Sequence, residues 1–497
     1  MWTDGGTIVE LLARVARWEH GRGGLLVIRE SGQLEQVHWP EVIARACRAA
    51  DGLARRGIRH GDCVALAAGN SLEWIVADFA THIVGGVLVP LHVGLNAEQL
   101  AWQVEHSGCR LVLNEESLRD LKLHGSEDSG RAIWEETQRN VTPQTLASIV
   151  YTSGTSGEPK GVMLTQGNLA ANASATVAAF QGRADDCRLN ILPFSHAYGH
   201  MSDLYVSLCG DTQLVLGRGR DHLIADAQLA QPTLLVVVPL LLLRLKQAAI
   251  SQFGEADKTA IHKLLGGRIR GFICGGARLA DELFDWYAEQ GTPVWEGYGL
   301  TETSPIVSLS SEHASRRGSV GQLLPGTEAK IADDGELLIR GPQVMTGYWR
   351  DETSTREVLR DGWLRTGDLA SLDQGFLYLQ GRKKEFIALS SGKKVWPAQI
   401  ESRFADDSLI RQIMVVGEGE ASLGALVVLR AAAKDSHTAE QVTAHLAQQL
   451  SDRPAHEQIR QVLLVAEPWT VERGELTPKL TLRRQVILDR HNAAHGR

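Results

Sequence analysis

Cysteine, methionine and aromatic residues are scarce in this chain, and positive charge falls short of negative. Its 497 residues include 6 cysteines and 5 methionines, and aromatics make up 6%. Cys47, Cys63, Cys109, Cys187, Cys209 and Cys274 are scattered with no Cys-x-x-Cys pair, which argues against a zinc site and against a disulfide framework. Reduced, mostly buried thiols are expected. The 51 Lys and Arg against 59 Asp and Glu leave a formal charge of -8, so nothing global draws the protein to nucleic-acid phosphates and no nucleic-acid partner is expected. Long apolar runs are also missing. The most apolar stretch, Leu234 to Leu243, falls well short of the roughly 20 residues that span a bilayer and contains Pro239. It reads as a buried strand running into a helix, so no transmembrane segment is expected. Met1 to Gly6 lacks a basic patch followed by an apolar run, which argues against a secretory signal and for a cytoplasmic location. Asn140 and Asn172 open sequons that read as accidental.

What is present is the composition of a soluble globular protein, 43% hydrophobic and 22% charged, without a low-complexity tract. At this length more than one core is expected, hence two or more domains. Apolar residues at helical spacing over Glu41 to Arg56 predict a helix, Gly57 to Asp62 a turn, and Cys63 to Ala68 a strand. A helix over Leu72 to Thr81 and short strands such as Arg110 to Asn114 continue the alternation. The fold class predicted is α/β, with a large amino-terminal domain of layered, predominantly parallel sheets and helices. After Arg340 the texture changes to short strands and Gly or Asp turns. The charged run Arg382-Lys383-Lys384-Glu385 then marks a break before a smaller, mobile α+β domain. The boundary is placed between a large domain at 1–382 and a small one at 383–497, with the hinge near Lys384.

The densest chemical signal follows the strand pattern Leu146 to Tyr151. It reads Thr152-Ser153-Gly154-Thr155-Ser156-Gly157-Glu158-Pro159-Lys160-Gly161, after which Val162 to Leu164 is again extended. Glycines allow the backbone to approach a ligand closely, and amides, hydroxyls and Lys160 supply donors for phosphate oxygens. A triphosphate is the natural guest. The spacing is not that of the Walker loop, which needs Ser or Thr after its lysine where this chain has Gly161.

Thr152 to Gly161 resembles the signature loop of the adenylate-forming (AMP-binding) enzyme superfamily, and the resemblance extends almost end to end. Asn70 to Trp74 and Gly85 to Leu91 look like the family's entry segment, and Pro193-Phe194-Ser195-His196 looks like its acyl-site motif. Gly297-Tyr298-Gly299-Leu300-Thr301-Glu302-Thr303 is similar to the segment that stacks an aromatic on adenine and presents a carboxylate to magnesium. Cys274-Gly275-Gly276-Ala277 resembles the turn on which adenine rests. The long-chain acyl-CoA synthetase branch is the closest likeness, through the Gly341 to Tyr348 region and Gly381 to Gly392.

The resemblance implies roles by position. Lys160, Thr301, Glu302 and Lys479 would be catalytic, with Glu302 the Mg2+ ligand. Thr152, Ser153, Gly154, Thr155, Ser156, Gly157, Gly275, Gly276, Ala277, Gly297, Tyr298 and Gly299 would bind ATP, and Asp368 and Arg382 its ribose. His196 would face the acyl substrate, Gly392 the pantetheine tunnel, and Lys384 would be the hinge. Family members carry a lysine near the carboxyl terminus that holds the acyl carboxylate and α-phosphate. Relatives that begin this segment Leu-Thr-Pro have it where this chain has Thr481; here Lys479 stands nearby, and residues two apart share one face of an extended segment.

The implied activity is an ATP-dependent acid-thiol ligase that makes an acyl-adenylate and passes the acyl group to CoA, with Mg2+ required. A medium- or long-chain fatty acid is the favoured substrate, and an aryl acid stays open. A long acid would favour peripheral membrane contact. The rivals are an acyl-AMP ligase that loads an acyl carrier protein or an amine, a luciferase-like oxygenase, and a pseudoenzyme that binds without turnover.

Overall fold

The computed structural model describes residues 6–18, 23–121, 125–152, 159–383, 385–434, 436–470, 473–476 and 482–495. The chain forms two compact units. One comprises Met1–Ala277, Asp281–Thr366 and Leu372–Tyr378, and the other Arg278–Ala280, Gly367–Ser371 and Leu379–Arg497. The α/β class, with a large amino-terminal and a smaller carboxyl-terminal domain, is the one expected from the sequence.

In the larger unit the strands Gly24–Ile28, Gln213–Leu216, Cys187–Asn190, Leu234–Val237, Gly271–Cys274 and Val294–Tyr298 lie side by side, every neighbouring pair parallel. Their residues are mostly buried, as suits a sheet covered on both faces. A second sheet has the strand order Gly347–Tyr348, Lys160–Thr165, Leu146–Thr152, Val87–Pro90, Cys63–Ala67, Leu111–Asn114. The helix Leu72–Ile83 begins where the Ser71 side chain accepts from the amide of Trp74. It buries Trp74 and Phe79 completely and packs into the core of the unit with the helix Trp39–Arg55.

The apolar run at Leu234 forms the strand Leu234–Val237 and the helix Pro239–Phe253, with proline in the first turn, where its missing N–H costs nothing. Asn172 is buried, and its side chain exchanges hydrogen bonds with both the N–H and the C=O of Ile306. That sequon asparagine is a structural strut. The cysteines are unpaired, and burial pushes the Cys63 thiol up to about 11 and that of Cys274 far above its ordinary range. Such thiols are unreactive at neutral pH.

The smaller unit is built on strands Ile410–Val416, Leu423–Leu429 and Ile459–Leu464, the first pair antiparallel and the second parallel. Strand alternation serves two cores. Ile413, Val415, Ala425 and Val427 pack with Ile400, Val442 and Leu446 on one face, while Met414, Leu426 and Val428 meet Trp469 and Ile487 on the other.

Candidate active site

The strands that flank the Thr152 to Gly161 motif pair with each other. Strand Leu146–Thr152 pairs antiparallel with Lys160–Thr165, and Thr152 stands opposite Lys160 at the mouth of the pair. Ser153, Gly154, Thr155, Ser156 and Gly157 lie outside the described residues. Lys160 is well defined by its neighbours. Its Nζ donates to Ser354 Oγ at 2.5 Å, sits 3.9 Å from Asp351 Oδ2, and lies 5.1 Å from the centroid of the Tyr348 ring. Hydrogen bonds from the Ser354 side chain and amide, assisted by the Lys160 cation, hold the Asp351 carboxyl below its usual range.

Glu302 sits in the short turn Thr301–Thr303. Thr303 closes this turn by donating its hydroxyl to Leu300 O and Pro305 O while accepting from Leu300 N. The Glu302 carbonyl accepts from Met345 N at 2.8 Å, and its Oε1 accepts from Tyr348 Oη at 2.8 Å. Lys160 and Glu302, expected to work on one ligand, therefore touch the same side chain.

Gly275, Gly276 and Ala277 follow the strand Gly271–Cys274 directly. A Cβ on Gly275 would lie 3.1 Å from Gly297 O and 3.2 Å from Tyr198 Oη, so this turn, the Gly297 strand end and Tyr198 converge. Tyr198 donates its hydroxyl to Ile273 O. Tyr298 is largely buried at the end of strand Val294–Tyr298, and Gly299 follows it. His196 is half-buried, its ring centroid 4.0 Å from that of His92, and His92 Nδ1 is 2.8 Å from Ser195 Oγ.

In the smaller unit Arg382 Nε is 2.9 Å from Asp368 Oδ1, and Asp368 is buried. The resemblance implies a shared ribose role for these two, and they form an ion pair. Gly392 turns the hairpin between Ile387–Ala388 and Lys394–Val395 with φ of 77°. Lys384, Lys479 and Thr481 lie outside the described residues.

Sequence reasoning did not single out Tyr348, Ser354, Asp351, His92 or Tyr198 individually. Tyr348 closes the Gly341 to Tyr348 region, His92 follows the Gly85 to Leu91 segment and Tyr198 is next but one to His196, so each of these three carried a positional cue. The others come from distant segments, and no spacing rule links them to the motifs.

The site's donor set suits magnesium. Among the described residues no group of three or more His, Cys, Asp or Glu could hold a metal alone. Mg2+ characteristically takes one or two carboxylates and completes its oxygen shell with nucleotide phosphate and water, which Glu302 and the Thr301 hydroxyl can support.

Residues 25–349 match the family model described as AMP-binding enzyme, and residues 384–494 match the AMP-binding enzyme C-terminal domain. The long-chain-fatty-acid–CoA ligase FadD15 of Mycobacterium bovis is 30% identical, the match covering 89% of this chain and 88% of that protein. A 2-succinylbenzoate–CoA ligase of Bacillus thuringiensis is 29% identical over 82% of this chain and 86% of its own. Among solved structures, ATP-bound MatB from Rhodopseudomonas palustris superposes with a TM-score of 0.79 at 26% identity, over 96% of this chain and 98% of that one. No helix among the described residues is long and apolar enough to cross a membrane. With a family model covering well over half its length and CoA ligases as relatives across most of theirs, the chain belongs to the AMP-binding enzyme family.

Proposed function

We propose that this protein is an AMP-forming acid-thiol ligase that uses ATP to join a carboxylic acid to CoA. One carboxylate oxygen attacks the α-phosphorus of ATP, the bond to the bridging oxygen of pyrophosphate breaks, and an acyl-adenylate forms. The thiol sulfur of CoA then attacks the acyl carbon, loses its proton to solvent and expels AMP. A carboxylic acid is ionised at neutral pH, its reference pKa lying near 4, so the first step needs charge stabilisation rather than a general base.

The observation that carries this reading is the convergence of Lys160 and Glu302 on Tyr348. A cation at the mouth of the phosphate hairpin suits the departing pyrophosphate. Glu302, with Thr301, would hold Mg2+, which when bound supplies positive charge to the phosphates. Thr152 and the loop Ser153 to Gly157 would cradle the phosphates. Gly275, Gly276 and Ala277, with Gly297, Tyr298 and Gly299, would receive adenine, and Asp368 and Arg382 the ribose. His196 would border the acid, Gly392 the pantetheine arm, Lys384 would act as the hinge, and Lys479 would serve the first half-reaction.

A medium- or long-chain fatty acid is the substrate favoured by the FadD15 relative. An aryl acid is the second reading, favoured by the 2-succinylbenzoate–CoA ligase relative. The test is pyrophosphate release from Mg-ATP with acids from acetate to palmitate and substituted benzoates, with and without CoA. CoA-dependent release peaking at one medium or long alkyl chain is expected. A peak among benzoates would move the substrate to the aryl class, and no release with any acid would overturn the ligase reading.

A further inference from the structure

We infer that Tyr348 is a positioning residue that sets Lys160 and Glu302 at once, its ring seating the cation and its hydroxyl aiming the carboxylate. The inference rests on the roles given above to those two residues. The ring centroid lies 5.1 Å from Lys160 Nζ, and Oη donates to Glu302 Oε1 at 2.8 Å. An ammonium over an aromatic face is attracted by the ring's quadrupole, and a phenol bonded to a carboxylate orients it as outer partners orient metal ligands.

The backbone around Tyr348 is tied to both clients. Gly347 and Tyr348 pair antiparallel with Met163 and Val162 of the Lys160 strand, and Trp349 N donates to Gly161 O at 2.7 Å. Met345 N bonds the carbonyl of Glu302 itself. Tyr348 is 8% exposed, and its own amide donates to Thr355 Oγ1 at 2.8 Å. The ring therefore has little freedom, while its two ends face the groups expected to meet phosphate and metal.

On the other side of Lys160 the helix Glu352–Val358 completes the seat. Asp351 caps it by accepting from Ser354 N at 2.9 Å, and Ser354 Oγ accepts from Lys160 Nζ. The lysine is held among an aromatic face, a hydroxyl and a carboxylate, all from the segment 348–354. A merely structural tyrosine would need neither the carboxylate at one end nor the ammonium on its face.

The experiment separates ring from hydroxyl. Tyr348→Phe keeps the ring and removes the hydroxyl; Tyr348→Leu removes both. In nucleotide-free protein, acetic anhydride labelling of Lys160 read by mass spectrometry should be unchanged in Tyr348→Phe. It should rise about 2–5-fold in Tyr348→Leu, the weight of a partly exposed cation–π contact. The Mg2+ concentration for half-maximal pyrophosphate release should rise about 10-fold in Tyr348→Phe, as for loss of an outer partner of a metal ligand. A lower melting temperature in either variant with unchanged labelling in Tyr348→Leu and unchanged Mg2+ requirement in Tyr348→Phe overturns the inference. If Tyr348→Leu does not fold, the Mg2+ requirement of Tyr348→Phe decides. If the wild type releases no pyrophosphate with any acid, the ligase reading fails by itself and the labelling comparison decides the seat.

Discussion

A lysine that must neutralise charge only as pyrophosphate departs gains most from being held before the reaction begins, because no reorganisation is then left to the transition state. Lys160 has three partners from its own chain. Lys160→Met keeps the stem and removes the charge, so kcat for pyrophosphate release should fall about 10²–10³-fold, the range for one electrostatic donor. A stopped assay at saturating ATP checks this, and an unchanged kcat would take Lys160 out of the chemistry. Gly299 acts through space rather than charge. A Cβ there would stand 1.6 Å from Pro305 O, a backbone atom that cannot rotate away. Gly299→Ala should therefore destabilise the protein by about 1–3 kcal/mol, the cost of overpacking, and shift the Thr301–Thr303 turn that carries Glu302. Urea denaturation gives the first quantity, and a midpoint equal to wild type would show that the Pro305 segment yields freely.

At the scale of elements, three adjacent parallel strands are fastened by the residues just before them. Asp186, Thr233 and Arg270 precede the strands Cys187–Asn190, Leu234–Val237 and Gly271–Cys274. Asp186 Oδ1 accepts from Thr233 Oγ1 and Arg270 Nε, its Oδ2 accepts from Arg270 and from Arg183 N, and Thr233 Oγ1 accepts from Cys187 N. This polar clasp aligns the strand that leads into Gly275. Burial works to raise the Asp186 pKa, but the hydrogen bonds and charge of Arg270, with the amide of Arg183, outweigh it and leave the carboxyl below its usual range. A depressed folded pKa means the unfolded chain takes up the proton first as pH falls. The stabilisation is thus complete above the unfolded value near 4 and disappears as pH drops through the folded one. Asp186→Ala should cost about 3 kcal/mol at pH 7, since Arg270 loses its buried partner. The gap to wild type should narrow below about pH 4. Urea melts from pH 7 to 3 test the sign, and a gap constant with pH would mean that packing, not charge, is lost.

The clasp also shows where reading the sequence stops. The strand-to-helix passage at Leu234 was legible because apolar patterning and a proline act within one window. Asp186 and Arg270 lie 84 positions apart in the chain, and nothing periodic connects them. For the same reason the Lys160 hairpin could be read from its flanking strands, whereas Ser354, 194 positions away, could not. Local propensity names the elements; the partners of a charge follow from strand order, which depends on packing.

At the scale of the molecule, the two family matches meet different segments, 25–349 and 384–494, and the second includes Lys479. The two half-reactions make different demands on a carboxyl-terminal lysine. Adenylation brings a carboxylate and a phosphate together and needs a cation between them, whereas thiol attack on the finished adenylate does not. Lys479→Ala should therefore lower pyrophosphate release from acid and ATP about 10²-fold or more, by the measure of one lost electrostatic donor. It should leave thioester formation from supplied acyl-adenylate and CoA within a few-fold of wild type. Adding Thr481→Lys to that variant moves the cation two positions along the chain. Rescue of pyrophosphate release would show that the site requires a lysine from this segment and tolerates the shift between the two positions. If Lys479→Ala slows neither half-reaction, the charge that stabilises adenylation is supplied by groups other than Lys479.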